Sequence, residues 1–141
     1  MAKADQRTCR LMTIPGVGPL TSLTFISAIG KAERFSSSRD IGPHFGLTPR
    51  KYQSGETDYT GRISKTGDAS VRTALYEAAN TIMIRPSKAI RLKAWATAIA
   101  TRSGLKKAKV ALARKLGVIM HAMLRNGQDF AATQTERAAM A

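Results

Sequence analysis

Ser54 stands beside Gly55 in a segment crowded with cations. Arg50 and Lys51 precede it, and Arg62 and Lys65 follow. A serine hydroxyl is a weak nucleophile until its proton is removed or its alkoxide is stabilised. Fixed cations favour the alkoxide, and they also favour any phosphate that approaches. Gly55 leaves backbone room for a bulky substrate. Thr66-Gly67-Asp68 then opens a helix, with Arg72 on its first turn. A helix N-terminus offers unpaired N–H groups and the positive end of a dipole. These residue types in this order point to attack on a phosphodiester. The competing reading is a solvated basic loop.

Other chemistries lack their residues. His44 and His121 have no partner acids, and His121 is expected on a polar surface. There is no Walker loop, zinc spacing or dinucleotide-binding fingerprint. The 9 acids are scattered, whereas metal-dependent nucleases cluster theirs. Glu56 and Asp58 balance neighbouring cations, and no third ligand has plausible spacing, so no metal site is expected in this chain. The single cysteine, Cys9, excludes an intrachain disulfide and reads as an incidental thiol in a reducing compartment.

Charge names the class of partner. The 141 residues carry 23 basic and 9 acidic side chains, a net charge of +14. A domain this basic meets a polyanion, and nucleic acid leads an anionic membrane surface as the candidate. No apolar run has the length of a membrane span or a secretory signal, so the expectation is a cytoplasmic protein with no membrane partner.

The elements that must position these residues are mostly helical. Residues 1–12 read as a tail or the end of an interrupted helix. Ile14-Pro15-Gly16-Val17-Gly18 is a tight turn, followed by an apolar helix at 19–29 that is expected to be buried on nearly every side. Helix, Pro-Gly-Val-Gly turn and helix form the pattern of a helix-hairpin-helix. Its Gly16 and Gly18 let backbone N–H groups approach phosphate, unless the turn is purely structural. A short helix follows near 37–45, confined by Pro43. In the Ser54 loop, Lys51–Gln53 pairs with Arg62–Ser64 as a short β-ribbon.

Three longer helices complete the chain. The first, over 68–85, carries a stripe of Val71, Leu75, Ala78 and Ile82. The second, over 87–102, has Leu92, Trp95 and Ile99 as its stripe, with Trp95 read as core in preference to base stacking. The third, over 105–126, sets Leu105, Ala108, Leu112, Leu116, Ile119 and Met123 on one side and Lys107, Arg114, His121 and Arg125 on the other. From Thr81 to Arg125 there is no acid, and this unmixed charge marks a polyanion-facing surface. The division expected is therefore 1–12, a mainly α domain over 13–127, and a disordered tail over 128–141.

The short motifs occur in a characteristic order. They are Ile14–Gly18, Ala28-Ile29-Gly30, Arg34-Phe35, Phe45–Arg50, Tyr52–Gly55, Ile63–Gly67 and Arg72–Tyr76. From about Ile14 to Arg125 the chain resembles the C-terminal domain of the insertion-sequence 110/116/902 family of transposases. The resemblance implies a DNA recombinase whose serine nucleophile falls on Ser54. It also implies a structured guide RNA, a homo-oligomer, and a separate RuvC-like acidic domain that binds Mg2+. These 141 residues lack that acidic domain, so the expectation is a truncated frame or a fragment, inactive alone. Arg50, Lys51, Arg62, Lys65, Arg72, Lys107 and Arg114 are then the candidate phosphate contacts. The alternative function is a non-catalytic helix-hairpin-helix module that binds DNA or RNA.

Overall fold

The computed structural model describes residues 6–54, 57–63, 67–85 and 90–130. The fold is mainly α, with helices α1 (Gln6–Leu11), α2 (Pro19–Ile29), α3 (Ile41–His44), α4 (Ala69–Ile84), α5 (Ile90–Ser103) and α6 (Leu105–Asn126). Strands β1 (Pro49–Ser54) and β2 (Thr57–Ile63) form an antiparallel ribbon between α3 and α4.

Helices α4 and α6 make the centre. On α4, Val71, Leu75, Ala78, Ala79 and Ile82 are buried, a spacing that keeps one face inward. Asp68 starts this helix, its Oδ1 accepting the Ser70 N–H at 2.8 Å. On α6, Gly117 lets two neighbours in. A Cβ there would lie 3.1 Å from Ile41 Cγ2 and 3.5 Å from Leu75 Cδ1. Helix α5 covers another side through Leu92 and Ala96, with Trp95 half-buried against the core. Lys115 lies 4.8 Å from the Trp95 ring centre. Burial, and then the Arg114 guanidinium, push the Lys115 ammonium below the ordinary lysine range.

Helix α2 runs antiparallel to α4. Its preceding turn touches Ala78 and Ile82, while its Ser27 and Ala28 share a cleft with Asp68 and Ser70. Only one side of α2 is covered. Phe25, Ile26 and Ile29 are buried, but Leu20 is 78% exposed and Leu23 38% exposed. The expected all-round burial is corrected: the outer side of α2 is surface. Leu105 is also corrected, at 53% exposed, because it lies beyond the core where α5 turns into α6.

His121 is a third correction. It is fully buried, not on the basic face. Its Nε2–H donates to the Ala32 carbonyl at 2.8 Å, and Nδ1 pairs with the Ser38 hydroxyl at 2.7 Å. The ring also meets Phe35 edge-on at 5.5 Å. Residues 32–40 fold over the α6 face that Arg114 and His121 share by their spacing of seven. His121→Ala should lower stability by about 2–4 kcal/mol, since it empties a buried site and strands two polar partners. Urea unfolding reads this, with Ser38→Ala expected to cost about 1 kcal/mol.

The chain end departs from expectation too. Residues 128–130 return to the first turn: the Phe130 N–H donates to Thr13 Oγ1 at 2.8 Å, and Arg10 pairs with Asp129 at 3.4 Å. Half-buried Phe130 packs on the core, which is what draws this stretch back. The remainder of the expected tail lies outside the described residues. No described helix is long and apolar enough to cross a membrane.

Candidate nucleic-acid interface

The ribbon is pinned at its root from both ends. Arg72 Nη1 donates to the Phe45 carbonyl at 3.1 Å and to the Gly67 carbonyl at 3.4 Å. One guanidinium thus ties the chain before β1 to the chain after β2. Gly67 has φ +84, and a Cβ there would strike the His44 carbonyl oxygen and lie 3.3 Å from Phe45 Cα. Only glycine combines that backbone with so close an approach. On the opposite side, Gly42 lets the Arg114 stem cross α3. A Cβ at Gly42 would lie 3.1 Å from Arg114 Cγ and 3.2 Å from Thr48 Cγ2. Arg114 therefore stands beside the residue that leads into β1.

Lys107 is exposed and lies seven residues before Arg114 on α6. Two helical turns separate them, so they share one side of the helix, about 10.5 Å apart along its axis. Arg72 and Arg114 thus stand at the ribbon root, and Lys107 lies two turns of α6 further toward the α5–α6 turn.

The ribbon itself carries Ser54 away from that root. The pairs are Pro49↔Ile63, Lys51↔Thr60, Tyr52↔Tyr59, Gln53↔Asp58 and Ser54↔Thr57. This corrects the expected pairing of Lys51–Gln53 with Arg62–Ser64. Thr57, Tyr59 and Thr60 are strong strand formers and draw β2 toward the tip. Between Pro49 and Lys51 the register shifts, which sets Arg50 opposite Gly61 and Arg62. Such a bulge increases twist at the site where it occurs. Ser54 ends β1, about 16 Å along the strand from Pro49. Arg50 and Arg62 therefore gather near the root, while Ser54 sits at the far end opposite Thr57. Gly55 and Lys65 lie outside the described residues.

Gly16 and Gly18 are not part of this region. Gly16 has φ +90, and a Cβ there would lie 3.0 Å from Ile82 Cγ1 and 3.5 Å from the Ala78 carbonyl. It serves the packing of the turn on α4, some 13 Å along that helix from Arg72. Gly18 caps the N-terminus of α2 with φ −100, without a side-chain cap, and with nothing within 4 Å of a Cβ. The two glycines therefore separate experimentally. Gly16→Val should cost about 1–3 kcal/mol through backbone strain. Gly18→Val should cost less, about 0.5–1 kcal/mol, since valine is a poorer N-cap than glycine. If phosphate approaches the α2 N-terminus, Gly18→Val weakens DNA binding well beyond what that loss of stability explains. Unchanged affinity would make this turn structural only.

The sequence reading missed the role of Gly42 and Gly67, because a close approach by a distant segment leaves no local signal. Gly67 was visible only as a helix start. Among the described residues, no three His, Cys, Asp or Glu side chains gather to hold a metal ion.

Residues 9–94 match the family described as Transposase IS116/IS110/IS902 family. The chain is 34% identical over 131 residues to the transposase for insertion sequence element IS1111A of Coxiella burnetii, covering 92% of this chain and 36% of that protein. It is 35% identical over 127 residues to the transposase for insertion sequence element IS1328 of Yersinia enterocolitica, covering 89% of this chain and 38% of that protein. A pilin gene-inverting protein of Moraxella bovis is 28% identical over 128 residues, covering 89% of this chain and 39% of that protein. The chain thus spans well under half the length of these relatives.

Proposed function

Because this chain belongs to the IS116/IS110/IS902 family of transposases, we propose that it is the DNA-contacting, serine-bearing part of an insertion-sequence transposase. The observation that carries this reading is the span of the family match. It takes in the first turn, the whole ribbon with Ser54, and α4 with Arg72. Relatives carry the names transposase and pilin gene-inverting protein, which supports strand exchange on DNA as the activity.

In this reading the Ser54 hydroxyl attacks a backbone phosphorus. The hydroxyl gives up its proton as an Oγ–P bond forms, a P–O bond to one deoxyribose breaks, and the released sugar oxygen takes up a proton, so the exchange is neutral overall. The phosphoserine ester conserves the energy of the phosphodiester, so a hydroxyl of another strand can displace serine and rejoin the DNA. Arg50, Lys51, Arg62 and Lys65 supply positive charge that holds phosphates of the bound strand on either side of the attacked one. Arg72 positions the ribbon through the two carbonyls that it ties together.

A ribbon with its nucleophile at the end away from its anchorage suits a site completed by something else. We assign that completion to the acidic domain of a longer enzyme, contributed by a second subunit of a homo-oligomer. Mg2+ held by those acids would supply Lewis-acid stabilisation of the phosphate. A structured guide RNA belongs to the same reading. The Pro15–Gly18 turn acts in it as a helix-hairpin-helix, with Gly18 nearest the phosphate. Trapping a covalent protein–DNA adduct on denaturing gels tests the proposal; a complete enzyme that binds DNA and yields no serine-linked adduct overturns it.

A further inference from the structure

The closed end of the α5–α6 hairpin extends the basic surface about two turns of α6 beyond Arg114. Every residue from Thr101 to Lys107 is exposed. Arg102, Lys106 and Lys107 surround Leu105, itself 53% exposed. Gly104 turns the chain with φ +99, and a Cβ there would meet nothing within 4 Å, so the tip is unobstructed. No acid occurs between Glu77 and Asp129, so no sequence neighbour offsets this charge. Solvated surfaces ordinarily mix signs. Lys106 and Lys107 also lie in the first turn of α6, at the positive end of its dipole, where cations are unfavourable. An arrangement that works against its own helix is stabilised when a polyanion arrives.

We propose that this tip is a docking surface for the phosphate backbone of duplex DNA, independent of base sequence. Residues 100–109 contain no aromatic side chain and no Asn or Gln. They therefore lack the aromatic platforms on which unpaired bases stack and the amide side chains that read adenine, which leaves cations whose commonest nucleic-acid partner is phosphate. What they offer is flexible cations for phosphates, with a leucine small enough to rest on the sugar wall of a groove. One leucine provides too little apolar area to hold a membrane surface. Lys107 lies on the same side of α6 as Arg114, about 10.5 Å away. Phosphates follow one another every 3.4 Å or so along a strand axis, so one duplex reaches from the ribbon root to the tip. The proposal takes its choice of polymer from the transposase reading, but it does not depend on Ser54.

The test measures binding of the full 141-residue chain to a labelled duplex of arbitrary sequence across a salt series. The tip variant is Arg102→Gln, Lys106→Gln, Lys107→Gln. The control removes equal charge elsewhere on the surface, by Lys31→Gln, Arg39→Gln, Arg91→Gln, all exposed positions. Thermal unfolding confirms that both variants fold. Each lost phosphate contact lowers the slope of log affinity against log salt by about 0.9, so the tip variant should lose about 2–3 from its slope while the control keeps the original value. An unchanged slope in the tip variant overturns the proposal, and so does an equal loss in the control. A loss confined to duplex RNA or anionic vesicles, run in parallel, overturns it as well. Failure of the parent chain to bind duplex DNA removes this docking surface and leaves the Ser54 adduct test standing; failure of the adduct test leaves this result untouched.

Discussion

Ser54→Ala is expected to abolish the covalent protein–DNA adduct in a complete enzyme while DNA retention stays intact. The loss should be roughly 10³-fold or more, since removing a nucleophile removes the step it performs. Retention should survive because the cations that hold phosphate are other residues. Stability should survive as well: Ser54 ends a strand in a two-stranded ribbon joined to the body by the chain before Pro49 and after Ile63. A substitution at such a position ordinarily changes stability by less than about 0.5 kcal/mol. The competing hydroxyls are Ser64, Tyr52 and Tyr59. Ser64→Ala should leave adduct, and peptide mapping should place the phosphoester on Ser54. An adduct that persists in Ser54→Ala, or maps to a tyrosine, sinks the assignment. The chain alone should give no adduct, because the acids expected to complete the site are not among its residues.

Arg72→Ala would fail differently, and the contrast bears on what sequence can tell. From sequence, Arg72 was one more cation near the loop. In the fold it donates to the Phe45 and Gly67 carbonyls and closes the ribbon root. Nothing local announces a contact between residues 27 apart. The helices were legible for the opposite reason. Gly30, Gly104 and Gly127 punctuate the chain, and periodic apolar residues lie between them, so α2 and α6 begin and end where those signals fall. Strand register carries no such punctuation. It depends on which cross-strand partners meet, and the pairing of Tyr52 with Tyr59 wins over the one expected. His121 shows the same limit on a helix. Its spacing from Arg114 puts both on one side of α6, but only the folded segment 32–40 decides that one is covered and the other half-open. The candidate site was therefore legible as a set of residue types. Its geometry, with Ser54 far from the root cations, was not.

The chain's affinity for duplex DNA should fall by roughly 10³–10⁵ between about 50 and 200 mM salt, as expected for about 6–10 phosphate contacts. The cations needed for that number are present. Arg102, Lys106 and Lys107 line the hairpin tip, and Arg50, Lys51, Arg62 and Lys65 belong to the ribbon segment in sequence. Few acids stand near them in sequence, so few of these charges are neutralised within the fold. Cations bound to phosphate release condensed counterions, and that release weakens as bulk salt rises. A chain held to DNA by shape or by apolar contact would lack this dependence. The measurement is fluorescence anisotropy on a labelled duplex at constant pH, with the logarithm of affinity plotted against that of salt. A steep straight line supports electrostatic docking across the basic surface. A flat response would mean that the charge serves something other than nucleic acid, and the hairpin-tip surface would lose its premise while the Ser54 adduct test stands.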